Sequence, residues 1–262
     1  MKGIATLGAL TEFQKAGWLH GVRRFAGTSV GAVLATMLAL DADMNAMFEN
    51  HVLNFTYDSS YDIAGLDKTF GLDTGEGLQK WIDGLLGEAK TITFQEVFQH
   101  HGSTLLICAS NLNTKKAVIF GPETHPQMRV AEALRMSCGI PLYFAATTYK
   151  GELYVDGALT NNFPVEAASA NGHHRVLGIR LLGKPKASNT HWTLERFIGA
   201  LVECAVIRPL PENVEAVILD LDAGSGTQPM NFRLPPEKTR QVFLAGKTQA
   251  TTFIQTYTKK VT

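Results

Sequence analysis

The chain of 262 residues has few cysteines and no excess of either charge. Its three cysteines, Cys108, Cys138 and Cys204, stand far apart without Cys/His ligand spacing, which favours reduced thiols in an intracellular protein. Lysine plus arginine equals aspartate plus glutamate, at 24 each, and no basic cluster is present. The sequence therefore predicts no metal, no cofactor and no nucleic-acid partner.

Long hydrophobic runs are also missing. The longest apolar stretch, residues 30–40, is too short to span a bilayer. The apolar stretch after Met1 is soon broken by Glu12 and Lys15, unlike a secretory signal, so a cytoplasmic protein is expected. Because 45% of the residues are apolar and the length suits one large α/β domain, residues 1–262 are predicted to form a single domain.

The apolar periodicity divides the chain into alternating helices and strands, which predicts an α/β fold with a sheet between layers of helices. A weakly patterned polar stretch, residues 56–73, is interpreted as a surface excursion and a candidate lid. A capping box, Thr93 with Glu96, is expected to open a helix. Strands are predicted at residues 22–26, 104–110, 117–120, 143–149, 152–155, 176–181 and 216–221. Helices are predicted up to Gly17 and at residues 30–40, 43–55, 74–86, 130–137, 164–172, 194–206 and 237–257.

The most informative motif is the GxSxG sequence Gly27-Thr28-Ser29-Val30-Gly31, which lies between a predicted strand and a predicted helix. This is the layout of a nucleophile elbow, a turn so sharp that glycine is expected on both sides of the serine. Such a turn holds the serine oxygen at a helix N-terminus, where the helix dipole favours negative charge. A glycine-rich turn with an incidental serine is the alternative.

A serine nucleophile needs a base within hydrogen-bond reach. The best candidate is Asp156, which ends a β-rich run and is followed by Gly157, where the backbone can turn tightly. An Asp-Gly hairpin turn is the alternative explanation of this pair. A Ser-His-Asp triad that uses His173, His174 or His191 is a second alternative for the chemistry.

Together these motifs resemble the patatin-like phospholipases, lipid acyl hydrolases with a Ser-Asp dyad. The resemblance covers nearly the whole chain, and the motifs follow one another in the order of that family. It is carried by residues 2–10, residues 27–31, residues 110–114, Met136-Ser137 with Ile140-Pro141, and Asp156-Gly157-Ala158 with Asn161-Asn162 and Pro164.

The resemblance implies a three-layer α/β/α domain with a central, mostly parallel sheet that hydrolyses acyl esters of phospholipid, lysophospholipid or neutral lipid. It implies Ser29 as the nucleophile that forms an acyl-enzyme, Asp156 as the general base, and the N–H of Val30 as one oxyanion donor. The implied partner is a lipid substrate or a membrane surface contacted peripherally. The remaining residues implied by the resemblance are Gly3, Gly27 and Gly31 in the elbow and oxyanion region, and Lys2, Gly157, Ser137 and Pro141 in support.

One departure from the family concerns the oxyanion hole. The family has a strand and a run of glycines just before the residues that correspond to Lys2-Gly3, and this sequence has neither. Loss of one oxyanion donor costs about 2.7 to 4 kcal/mol, or roughly a hundredfold to a thousandfold in rate. Three alternatives follow: a sequence truncated upstream, an esterase in which Gly3 and Val30 serve alone, and a noncatalytic relative that binds lipid. The missing strand is also expected to leave an edge of the central sheet uncovered.

Overall fold

A computed structural model describes residues 3–169, 176–182, 197–198, 200–201, 216–222 and 234–261. The helices are α1 Gly3–Lys15, α2 Val30–Ala39, α3 Met44–Met47, α4 Leu66–Thr69, α5 Glu76–Leu86, α6 Phe94–His101, α7 Val130–Ser137, α8 Ala158–Asn161, α9 Val165–Ala168 and α10 Pro236–Val261. A π-helical turn, Phe48–Val52, continues α3, and a 3-10 turn, Gly87–Thr91, continues α5. The strands are β1 Arg24–Thr28, β2 Gly71–Asp73, β3 Thr104–Asn111, β4 Lys116–Phe120, β5 Leu142–Phe144, β6 Thr147–Tyr149, β7 Glu152–Asp156, β8 Val176–Leu182 and β9 Ala216–Asp222.

The largest sheet is built around β3. Strand β1 pairs with β3 in parallel, β4 and β7 pair with it in antiparallel fashion, and β6 extends the sheet beyond β7. Seven of the eight residues of β3 are buried, as is typical of a strand covered on both faces, and α2, α6 and α7 pack against it. Two further parallel pairs, β2 with β5 and β8 with β9, complete the described strands. The predicted α/β fold is confirmed.

Most predicted elements are present, and one predicted strand is wrong. The expected capping box forms, because the Thr93 hydroxyl accepts the N–H of Glu96 at 3.2 Å while the Glu96 carboxylate accepts the N–H of Thr93 at 2.8 Å. The single strand predicted over residues 143–149 is instead divided into β5 and β6. Its first part pairs with β2 and its second part with β7, so the two parts belong to different sheets. The predicted helices at residues 164–172 and 194–206 extend beyond the described residues.

Helices α1 and α10 cross closely at two glycines. A Cβ on Gly8 would lie 2.0 Å from the carbonyl oxygen of Phe243, and a Cβ on Gly246 would lie 1.9 Å from the carbonyl oxygen of Ala5. A side chain at either position would push the two backbones apart, so glycine permits this approach. Phe243 also stacks on Phe48 with ring centroids 3.7 Å apart. Helix α10 is thereby packed into the main core.

The stretch predicted as a surface excursion is anchored in the interior by Asp73. The buried Asp73 carboxylate accepts hydrogen bonds from the Tyr57 hydroxyl at 3.0 Å, the N–H of Ser60 at 3.0 Å and the N–H of Gly75 at 2.8 Å. Tyr57 is also buried, and desolvation together with the nearby carboxylate raises its pKa. Residues 56–73 therefore pack partly into the protein interior and are partly exposed to solvent.

Candidate active site

Ser29 lies in the turn between β1 and α2, in a backbone conformation that residues with a side chain rarely adopt. Its φ is 55° and its ψ is −129°, and such conformations cost about 1 to 3 kcal/mol. Gly27 permits the turn, because a Cβ there would lie 2.2 Å from the carbonyl oxygen of Gly31. A Cβ on Gly31 would meet no described atom within 4 Å. The prediction that both glycines are sterically required is therefore wrong for Gly31, since position 31 faces open space.

Ser137, at the end of α7, connects the elbow to the central strand. Its hydroxyl accepts the N–H of Ser29 at 2.9 Å and donates to the carbonyl oxygen of Cys108 at 2.6 Å. Cys108 belongs to β3 and is the register partner of Thr28 in β1. The Ser137 side chain is fully buried, so these two hydrogen bonds compete little with water. The two hydrogen bonds fix the backbone of the strained Ser29.

Replacement of Ser137 by alanine is expected to slow the reaction of Ser29 with a fluorophosphonate probe by about tenfold and to destabilise the protein by about 1 to 3 kcal/mol. The reason is that the N–H of Ser29 and the carbonyl of Cys108 both lose their partner inside the protein. Labelling kinetics and thermal unfolding check the two effects.

The matched control is Ser169→Ala, because Ser169 is also buried but its hydroxyl has no hydrogen-bond partner among the described residues. This control is expected to leave the labelling rate unchanged. If Ser137→Ala loses stability yet reacts with the probe as fast as the parent protein, Ser137 supports the fold alone.

Asp156 ends β7 and faces the elbow. Its N–H donates to the carbonyl oxygen of Gly139 at 2.8 Å, and its carboxylate accepts the N–H of Ala158 at 2.8 Å. Gly157 permits close approach to β3, because a Cβ there would lie 2.3 Å from the carbonyl oxygen of Cys108. Helix α8 begins directly after Gly157. The alternative of an Asp-Gly hairpin turn is therefore wrong.

The structure brings the side chains of Ser29 and Asp156 together. Asp156 is 3% exposed, and desolvation raises the pKa of its carboxyl group to about 6, although the N–H of Ala158 and a hydrogen bond from the Ser29 side chain lower it. A carboxylate whose pKa lies closer to neutral pH is a better proton acceptor in catalysis. Asp156 thus combines contact with the serine and raised basicity.

The N-terminus of α2 lies directly after Ser29. Helix α2 begins at Val30, and its first side chain lies against Gly3 of α1, because a Cβ on Gly3 would lie 2.3 Å from Cγ2 of Val30. The first N–H groups of a helix have no carbonyl in their own helix to bind, and the helix dipole favours negative charge there. Within the described part of the chain, no group accepts the N–H of Val30. The N–H of Val30 is therefore free to bind a negative charge beside the serine, and the oxyanion role of Gly3 stays a prediction.

Two hydroxyl groups that the sequence did not identify also hold the site. The Thr28 hydroxyl donates to the carbonyl oxygen of Asn161 at 2.8 Å, and the Ser110 hydroxyl donates to the carbonyl oxygen of Asp156 at 2.8 Å. Both residues belong to motifs noted in the sequence, but their partners are distant along the chain. Membership of these motifs was the only feature of the sequence that indicated a role for Thr28 and Ser110.

Four candidate site residues named from the sequence lie outside the described part of the chain. They are Lys2, His173, His174 and His191, so the supporting role of Lys2 and the Ser-His-Asp alternative stay predictions. Pro141 is described: it is half-buried and is the second residue of the tight turn from Ile140 to Tyr143 that leads into β5.

The described residues give no metal centre and no spanning helix. No group of three His, Cys, Asp or Glu side chains comes together in the described ranges, and none of the helices there has the length and apolar character to cross a bilayer. Cys108 and Cys138 are buried free thiols, and burial raises the pKa of Cys108 to about 12 and also raises that of Cys138. Such thiols are poor nucleophiles. Cys204 lies outside the described residues.

Three known proteins are similar in sequence. A protein of Invertebrate iridescent virus 6 named probable lipid hydrolase 463L is 30% identical over 179 residues, which cover 64% of this chain and 60% of the viral protein. Uncharacterized protein R571 of Acanthamoeba polyphaga mimivirus is 30% identical over 171 residues, which cover 62% of this chain and 56% of R571. The match therefore spans less than two thirds of either viral protein. Uncharacterized protein YqhO of Bacillus subtilis (strain 168) is 27% identical over 288 residues, which cover 98% of this chain and 96% of YqhO.

The fold is also found in VipD from Legionella pneumophila. That crystal structure superposes with a TM-score of 0.61 at 14% sequence identity and covers 97% of this chain and 65% of the VipD chain. The family model described as patatin-like phospholipase matches residues 1–169, which is more than half of the chain. The chain belongs to the patatin-like phospholipase family.

Proposed function

We propose that this protein hydrolyses acyl esters of lipids through a dyad of Ser29 and Asp156. The observation that supports this most is the contact between a serine in a strained elbow and a buried carboxylate whose pKa is raised to about 6. Membership of a phospholipase family, and a viral relative named probable lipid hydrolase, support a lipid ester as the substrate.

In the proposed reaction, the Asp156 carboxylate accepts the proton of the Ser29 hydroxyl while the serine oxygen attacks the ester carbonyl carbon. The carbonyl oxygen becomes an oxyanion and accepts a hydrogen bond from the N–H of Val30. Collapse of this intermediate breaks the ester bond. The alcohol departs with the proton from Asp156, and the acyl group remains on Ser29.

A water molecule completes the proposed cycle. Asp156 accepts a proton from this water as its oxygen attacks the acyl carbon, and the oxyanion forms again beside Val30. Collapse returns the proton to the Ser29 oxygen and releases a fatty acid. The proposed substrates are phospholipid, lysophospholipid or neutral lipid, reached by peripheral contact with a lipid surface.

A fluorophosphonate probe tests the proposal because it bonds covalently to activated serines. We expect the probe to label the parent protein at Ser29, Ser29→Ala to remain unlabelled, and Ser169→Ala to be labelled normally. Hydrolysis of a water-soluble ester, p-nitrophenyl butyrate, is expected to disappear with the labelling. Absence of both labelling and hydrolysis in the folded parent protein would contradict the proposal and favour a lipid-binding protein without catalysis.

A further inference from the structure

Four large apolar side chains are exposed around the small sheet of β2 and β5. Each of these side chains has at least half of its surface in water. They are Tyr61 at 57%, Ile63 at 75%, Phe70 at 51% and Leu142 at 50%, and we call them the apolar patch.

Backbone pairing brings the segments that carry the apolar patch together around β2. Beside the bridge between Tyr61 and Asp73, the N–H of Asp62 donates to the carbonyl oxygen of Leu72 at 2.8 Å. Ile63 directly follows Asp62, and the parallel register of β2 and β5 puts Gly71 opposite Leu142. Gly71 has no side chain, and a Cβ there would lie 2.1 Å from the backbone nitrogen of Ala145.

Two members of the apolar patch have unfavourable backbone conformations. Phe70 has a φ of 59° and Leu142 a φ of 66°, a region in which a bulky residue is an outlier. Leu142 follows Pro141 in a turn closed by the N–H of Tyr143 and the carbonyl oxygen of Ile140 at 3.2 Å, where glycine is the usual residue. Strain of this kind is frequent at functional sites, which motivates a functional explanation of these exposed side chains.

The apolar patch adjoins the candidate active site. The carbonyl oxygen of Gly139 accepts the N–H of Asp156 at 2.8 Å, and Leu142 follows Gly139 by three residues. Three residues span at most about 11 Å. The backbone of Leu142 therefore lies near the end of β7, which carries the candidate catalytic carboxylate.

Charges beside the apolar patch define the kind of surface it fits. The segment that carries its first three members, residues 56–70, contains Asp58, Asp62 and Asp67 against Lys68 as its one cation. This net negative charge repels an anionic membrane. It is compatible with a zwitterionic lipid surface, where burial of apolar side chains supplies the affinity.

We propose that the apolar patch inserts into a zwitterionic lipid surface, such as a phosphatidylcholine bilayer, and thereby brings Ser29 to its substrate. This inference rests on the proposed function, since it identifies the surface through which a lipid ester reaches that serine. The contact buries side chains that otherwise remain in water, which offsets the cost of their backbone strain.

The test compares two variants of the full chain for binding to phosphatidylcholine vesicles by co-sedimentation. The patch variant carries Ile63→Gln, Phe70→Asn and Leu142→Asn, because asparagine tolerates positive φ and preserves folding. The control variant carries Phe98→Gln and Leu244→Gln, which remove two apolar side chains, each 51% exposed, from helices elsewhere. We expect the patch variant to bind at least about tenfold more weakly and the control variant to bind as the parent does.

Further measurements separate the inference from the proposed function. Binding is measured in a Ser29→Ala background, so that vesicles stay intact, and hydrolysis of p-nitrophenyl butyrate is measured with Ser29 present. The patch variant is expected to hydrolyse this dissolved ester within about twofold of the parent rate, because the ester is not held in a lipid surface. Patch-dependent vesicle binding without any ester hydrolysis would support the apolar patch as a lipid surface and contradict the proposed function.

Several outcomes would overturn the apolar patch as a lipid surface. They are vesicle binding by the patch variant equal to that of the parent, an equal loss in the control variant, and stronger binding when phosphatidylglycerol is added. A dimer in sedimentation that the patch variant abolishes, with no vesicle binding by the parent, would assign the surface to a second copy of the chain instead.

Discussion

Asp156→Asn is expected to lower the turnover of p-nitrophenyl butyrate by about a thousandfold to ten-thousandfold. Asparagine keeps the shape of the side chain and an oxygen that can accept the N–H of Ala158, but it cannot accept the proton of the Ser29 hydroxyl. Steady-state kinetics measure the loss, and fluorophosphonate labelling of Ser29 is expected to slow with it. Turnover equal to that of the parent protein would remove Asp156 from the mechanism.

The pH dependence of the parent protein follows from the same carboxyl group. Desolvation raises the pKa of Asp156 to about 6, and only the ionised form accepts a proton. The value of kcat/KM is therefore expected to rise about tenfold per pH unit below pH 6 and to level off above about pH 7. An exposed aspartate would instead give a profile that is flat above about pH 5.

Stability is expected to respond to pH in the opposite direction. Because folding raises this pKa above the ordinary value of 3.8, the folded state binds the proton more tightly between pH 3.8 and about 6. The resulting stabilisation is complete below the lower value and is lost as the pH rises through about 6. Asp156→Asn has no carboxyl group to ionise, so it does not lose stability in this way. Its thermal midpoint near pH 8 is therefore expected to equal or exceed that of the parent. This measurement also shows that the inactive variant is folded.

Asp73→Ala is expected to destabilise the protein by about 3 to 5 kcal/mol, the largest stability loss we foresee. It removes the acceptor of the Tyr57 hydroxyl and of the N–H groups of Ser60 and Gly75 inside the protein. It also removes the negative charge that favours the charged form of the mostly buried Arg135. Thermal unfolding is expected to show a midpoint roughly 6 to 20 °C lower.

Asp67→Ala is the matched control for this effect. Asp67 lies in the same excursion but is exposed, and its replacement is expected to change stability by less than about 0.5 kcal/mol. Amide hydrogen exchange adds a local measurement, because residues 56–73 are expected to exchange faster in Asp73→Ala. Equal midpoints for the two variants would show that the hydrogen-bonded carboxylate contributes nothing to the fold.

The sequence predicted best what local chemistry decides. The capping box of Thr93 and Glu96 forms as expected because its partners are three residues apart. The elbow of Ser29 was also visible, since a GxSxG turn between a strand and a helix is a local arrangement. Asp156 is predicted on similar local grounds, because it ends a strand and precedes a glycine.

Features that depend on contacts between residues far apart in the chain were not predictable from the sequence. Nothing near residue 73 indicated that its carboxylate would be buried among donors, because Tyr57 reaches it only through the folded excursion. The division of residues 143–149 into β5 and β6 depends on β2, a strand some 70 residues earlier. The hydrogen bonds of Ser137 likewise join α7 to an elbow 108 residues away. Tertiary contacts of this kind have no local pattern.

The glycine crossing of α1 and α10 also determines when this protein can complete its core during synthesis. Gly246 follows Ala5 by 241 residues, and a ribosome that adds about 5 to 20 residues per second needs roughly 10 to 50 s to make that length. During this interval α1 has no α10 to pack against, and its apolar face is open to aggregation or to a chaperone. This part of the core is therefore completed only after α10 has been synthesised.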